Sequence, residues 1–171
     1  MGDGKRRLPV LQPKEEEGED RPPWHWSVIG GFGTMLVFLP LSGASAWFAR
    51  RTYARYLHGS TPEQLLQAAE ALTARQRTWL GVLSVAGPML SLALASVAGG
   101  TLVGRFGGAA GKREAAVAAV LAAAVSSAVA ARELVDRPDG PVLWVFTSTI
   151  LFVVAGVTGW LGGALGLRLR R

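Results

Sequence analysis

Residues Val142–Leu167 read VLWVFTSTILFVVAGVTGWLGGALGL and contain no Asp, Glu, Lys or Arg. A bilayer core about 30 Å thick is crossed by roughly 20 consecutive apolar helical residues, so this stretch has the length and composition of a transmembrane helix. Trp26–Ala49, Trp79–Val103 and Ala115–Ala131 are likewise free of charge. The 18 basic and 12 acidic residues fall at the ends and in the connections. The pattern predicts an all-α polytopic membrane protein. Its four transmembrane helices lie at about 26–49, 79–103, 115–131 and 142–167, with an extramembrane helical hairpin between the first two. Within 24–171 no room remains for a separate globular domain.

The second half of that opening stretch carries Gly159, Gly162, Gly163 and Gly166. Gly159/Gly163 and Gly162/Gly166 are overlapping GxxxG pairs, and Gly104/Gly108 makes another after the second span. Missing side chains let helix backbones approach where lipid supplies no hydrophobic drive. Gly100, Gly104, Gly108, Gly159, Gly162, Gly163 and Gly166 are therefore expected to pack helices, either within the chain or between copies. The third span is built from Ala and Val, with Ala115, Ala119, Ala123, Ser127 and Ala131 on one line and Ala118, Ala122, Ser126 and Ala130 on the next. A helix that can be approached on several sides suits the centre of a bundle.

The first span opens with Trp24-His25-Trp26 and ends at Arg50-Arg51; the second opens at Trp79. Trp24, Trp26, Arg50, Arg51 and Trp79 are read as interfacial anchors at head-group depth. Pro40 and Pro88 are expected to bend their helices. Ala44-Ser45-Ala46 resembles a cleavage site, but five basic against six acidic residues precede it through Ser27. A signal peptide wants a compact positive start, so an uncleaved anchor is expected. Met1–Pro23, with Glu15, Glu16, Glu17, Glu19 and Asp20 among four prolines, reads as a disordered charged tail.

In the connection, Thr61 is expected to cap a helix with Pro62 at its first position and Gln64 closing a capping box. No Gly or Pro occurs from Glu63 to Leu80, which predicts an amphipathic helix over about 62–78, running on toward the second span. Arg50–His58 would rise about 13 Å and Pro62–Thr78 about 25 Å. Such unequal arms predict that the second tilts, lies on the membrane or packs against the bundle, the alternative being a partner-docking helix.

A net charge of +6 with pI near 10.7 raises the question of nucleic acid, but no basic face with interleaved aromatics is present, so no nucleic-acid partner is expected. The partners expected are the lipid bilayer and further copies of the chain or other membrane subunits. Arg outnumbers Lys 15 to 3, read as the coding bias of a GC-rich bacterium. The amino tail, residues 104–113 and the carboxyl end hold eleven basic residues; the opposite connections hold seven. The positive-inside rule then places both termini in the cytoplasm of a bacterial inner membrane, although Arg50, Arg51 and Arg55 pull the other way.

No motif for chemistry survives inspection. Gly111-Lys112 lacks the phosphate-loop glycine, because Phe106 stands there, and Arg113 replaces Ser/Thr. Gly30-Gly31-Phe32-Gly33 precedes no βαβ unit. There is no Cys, and His25 and His58 have no metal-ligand spacing. Uncharged spans also lack the carboxylates of proton-coupled transport. No catalytic residue, metal or cofactor is expected. An interfacial lipid enzyme would have to be built on Arg50, Arg51 or His58.

Gly99-Gly100-Thr101-Leu102-Val103-Gly104-Arg105 and the Gly159–Gly166 run followed by Arg168 resemble small uncharacterised four-helix bacterial membrane proteins with a GGxxxGR turn and a Gly-rich last helix. The likeness covers roughly residues 79–171. It implies a fold and no activity. The function expected is a non-enzymatic integral membrane protein that packs into or assembles a membrane complex; the alternative is a channel or small-solute permeation subunit formed by oligomerisation.

Overall fold

The computed structural model describes residues 24–59, 61–134 and 138–170. The expected charged tail, 1–23, lies outside them. Among the described residues the chain forms five helices and no strand: α1 (Trp24–Tyr56), α2 (Pro62–Glu70), α3 (Ala74–Phe106), α4 (Lys112–Leu134) and α5 (Gly140–Leu169). Four of them, all but α2, are long and apolar enough to cross a membrane. At 1.5 Å per residue, the 33 residues of α1 and of α3 extend about 50 Å, well beyond a hydrocarbon core, whereas the 23 of α4 extend about 35 Å.

The long helices alternate in direction. α3 packs against α1 and α5, α4 packs against the same two, and α3 meets α4 across the middle. What fills the interior is small: Ala95, Ala115, Ala118, Ala119, Ala123 and Ala155 are fully buried, and Leu92 and Val103 are the largest apolar side chains enclosed. Large apolar side chains point outward instead, with Phe32 71%, Leu36 73% and Phe146 65% exposed. A water-soluble bundle has the opposite distribution. Close approach of backbones, rather than burial of large side chains, shapes this core.

Pro40 and Pro88 both lie inside helices that continue through them. Next to Pro88, a Cβ on Gly87 would strike the Ser45 side chain, so α1 and α3 nearly touch at that level.

The single helix expected over 62–78 is instead two helices. α2 stops at Glu70 and α3 starts at Ala74. The cause is a capping box within the segment: Gln76 N–H donates to Thr73 Oγ1 at 3.3 Å, and Thr73 N–H donates to Gln76 Oε1 at 2.9 Å. These bonds satisfy amides that the start of α3 leaves without an intrahelical partner. The break also removes the inequality between the two arms. The last turns of α1 lie beside the first of α3, where the Tyr53 hydroxyl donates to the Leu80 carbonyl oxygen at 3.1 Å. α2 begins as expected, with Gln64 N–H donating to Thr61 Oγ1 at 3.3 Å and Pro62 in the first turn. It contributes no buried residue.

Candidate functional site

The densest arrangement in the molecule is the contact of α5 with α3 and α4. Gly residues at 156, 159, 162, 163 and 166 leave five of the eleven positions 156–166 of α5 without side chains, and its neighbours close on the bare backbone. A Cβ on Gly162 would lie 2.9 Å from Val97 Cα, and one on Gly166 would lie 2.8 Å from the Arg105 nitrogen. From the other helix, a Cβ on Gly100 would run into the Gly159 carbonyl oxygen, and one on Gly104 into that of Gly163. Gly159 and Gly163 also meet α4: their added Cβ atoms would sit 2.6 Å from Ala119 Cβ and 2.7 Å from Ala115 Cβ. Both GxxxG pairs of α5 are therefore covered by helices of the same chain.

Polar bonds lie along these contacts. Thr101 Oγ1 donates to the Val97 carbonyl oxygen at 2.7 Å and approaches that of Gly162 at 3.3 Å. Between α4 and α5, the Ser127 and Ser148 hydroxyls bond each other, and Trp144 Nε1 donates to the Ser127 carbonyl oxygen at 3.0 Å. Ser27 Oγ on α1 donates to the Glu114 carbonyl oxygen on α4 at 3.1 Å. Hydroxyls and small side chains thus serve both close packing and interhelical bonding.

Gly108 is not part of this packing. It follows the end of α3 with φ +57°, and an added Cβ would meet open space. It supplies the left-handed turn that starts the return to α4, a conformation glycine adopts without steric cost. Its carbonyl oxygen accepts from Arg170 Nη1.

Among the expected anchors, Trp24 is exposed and stacks on His25 with ring centroids 3.9 Å apart. Trp26 packs instead against the buried cluster of Val103, Ala110, Ala115 and Ala118. Arg50 is exposed, and Arg51 lies over the Trp47 ring at 5.3 Å. Trp79 is exposed and lines a groove with Tyr56, Arg75 and Val82. At the opposite end, Lys112 Nζ sits 4.9 Å above the Trp160 ring. These cation–aromatic pairs place charge beside an aromatic ring at both ends of the helices.

Sequence reasoning passed over two contacts. Gly30 and Gly99 form the α1–α3 crossing: an added Cβ on Gly30 would overlap the Val103 side chain, and one on Gly99 would overlap the Thr34 hydroxyl and lie 3.0 Å from the Gly30 carbonyl oxygen. The Gly30-Gly31 pair is the signal in the sequence for this crossing. Second, Glu114 Oε2 accepts from Gly111 N–H at 2.6 Å, closing the start of α4. No group of three His, Cys, Asp or Glu that could hold a metal occurs among the described residues. The arrangement can hold helices together. No family model, no curated protein and no solved structure matches this chain.

Proposed function

We propose that this chain is a non-enzymatic, multi-pass protein of a bacterial cytoplasmic membrane, with both termini on the cytoplasmic side, serving as a packing or accessory subunit of a membrane complex. One observation carries the membrane reading: the bundle has alanine and glycine inside and Phe32, Leu36, Leu90, Val142 and Phe146 outside. Contiguous apolar surface on that scale is stable against hydrocarbon and associates in water. The likeness to small four-helix membrane proteins belongs to the same proposal.

Support for an assembly role comes from the α1–α3 connection. Leu65 and Leu66 of α2 are exposed, and beside them a groove is lined by Tyr53, Leu57, Leu72 and Leu80. With both α5 glycine pairs engaged internally, this segment supports the reading as a surface for another subunit. A photo-crosslinker at Leu66 in native membranes should yield a heavier adduct of defined mass. Labelling of lipid alone would remove the subunit reading and leave α2 lying on the membrane surface. A pore through one bundle draws no support from a core filled by Leu92, Val103 and fully buried alanines.

A further inference from the structure

Between α1 and α3, toward the end where α3 stops, a groove of about 510 Å³ opens on the outer surface of the bundle. Its walls include Trp26, Phe32, Gly33, Leu36, Leu102 and Phe106. From Trp26 to Leu36 it follows ten residue steps of α1, about 15 Å of helix rise. That is half of a hydrocarbon core about 30 Å thick, the depth of one leaflet. Gly33 supplies part of the hollow: an added Cβ would find only Leu102 Cδ1, at 3.4 Å.

Beside Phe106, a wall of the groove at the end of α3, stands Arg105, its guanidinium 5.4 Å from the centre of that ring. Among the described residues it has no acidic partner. The same end of the bundle carries Lys112, Arg113, Arg168 and Arg170 against Glu114, whose carboxylate is held by the Gly111 amide. On the membrane reading the level is interfacial, since the exposed Trp24 and the Lys112–Trp160 pair lie at this end of the bundle. A hydrocarbon slot one leaflet deep, with a guanidinium beside its end and no acidic partner for it among the described residues, matches an amphiphile with an anionic head.

We infer that this groove holds one acyl chain of an anionic phospholipid, with Arg105 binding its phosphate. The inference rests on the membrane reading above. Recognition combines apolar contact along α1 and α3 with a charge-assisted hydrogen bond from a planar fork suited to phosphate oxygens.

The test is native mass spectrometry of the full chain in detergent, offered equal amounts of phosphatidylglycerol and phosphatidylcholine with the same acyl chains. The wild type should retain one phosphatidylglycerol in preference. Arg105→Gln should reduce that preference about fivefold, the factor one arginine contributes near an anionic surface. Gly33→Leu, which fills the slot, should reduce retention of both lipids, while Arg50→Gln at the opposite end should leave the preference intact. Retention unchanged in both Arg105→Gln and Gly33→Leu overturns the proposal, as does an equal loss in Arg50→Gln and Arg105→Gln. Carbonate washing of wild-type membranes run in parallel separates the two failures: release from the membrane would sink the membrane reading, whereas firm insertion with unaltered lipid retention would sink the groove alone.

Discussion

Thr101 on α3 and Gly162 on α5 meet directly, the threonine hydroxyl lying 3.3 Å from the glycine carbonyl oxygen. The contact exists because Gly162 has no side chain: a Cβ there would lie 2.9 Å from Val97 Cα on the same neighbouring helix. Here a polar bond and a backbone approach depend on each other.

Adding one methyl at this interface should therefore cost more than adding it elsewhere. Gly100→Ala places a Cβ against the Gly159 carbonyl, an atom of the partner backbone that cannot step aside. A loss of about 1–3 kcal/mol is expected, as for overpacking in other cores. Gly81→Ala, where nothing lies within 4 Å, should be neutral or stabilising, because alanine favours a helix by about 1 kcal/mol over glycine. Thermal unfolding in one detergent measures both; equal effects would contradict the packing described.

Removing the Thr101 hydroxyl should cost little. Thr101→Val keeps the shape, and interhelical hydrogen bonds in membrane proteins average about 0.6 kcal/mol. The hydroxyl also bonds the Val97 carbonyl of its own helix, so part of its capacity is local. A midpoint shift as large as that of Gly100→Ala would show that the hydroxyl, rather than backbone proximity, dominates the contact.

The break between α2 and α3 should depend on Thr73. Thr73→Ala removes the side-chain acceptor for Gln76 N–H and is expected to cost about 1 kcal/mol at the start of α3. Amide hydrogen exchange should accelerate at Gln76 and its neighbours while the glycine interface stays protected. Unchanged exchange at Gln76 would mean that the cap does not end the helix there.

Orientation gives a further prediction. Alkaline phosphatase fused after Gly59 should be active and a fluorescent protein at the same position dark, because the charge count places that connection outside the cytoplasm. Bright fluorescence there would invert the bundle and move the basic rim around Arg105 to the outer leaflet.

The helical architecture was legible because a charge-free run of some 20 residues has few soluble explanations. Helix ends were less so. The Thr73–Gln76 pair has the spacing of a capping box, but the uninterrupted Leu and Ala pattern around it masked the boundary. Glycine roles divided along the same line. The runs at 159–166 showed that backbones would touch, yet small residues on every side of α4 leave no periodicity that would say which of its positions each α5 glycine faces. In the structure Gly162 and Gly166 turn to α3, whereas Gly159 and Gly163 also reach Ala115 and Ala119 on α4. Gly108 matched the GxxxG spacing but lies past the end of α3, where a positive φ is what requires glycine. The proposed lipid groove had no sequence signature, since its walls, Gly33 on α1 and Leu102 and Phe106 on α3 among them, are brought side by side by the Gly30–Gly99 crossing.

The account rests on hydrocarbon as the solvent for the outward-facing Phe, Leu and Val side chains. Washing native membranes with alkaline carbonate and probing pellet and supernatant for the chain tests this most directly. Retention in the pellet, with release only by detergent, is the predicted result; recovery of the chain in the carbonate supernatant as a monodisperse protein would contradict it.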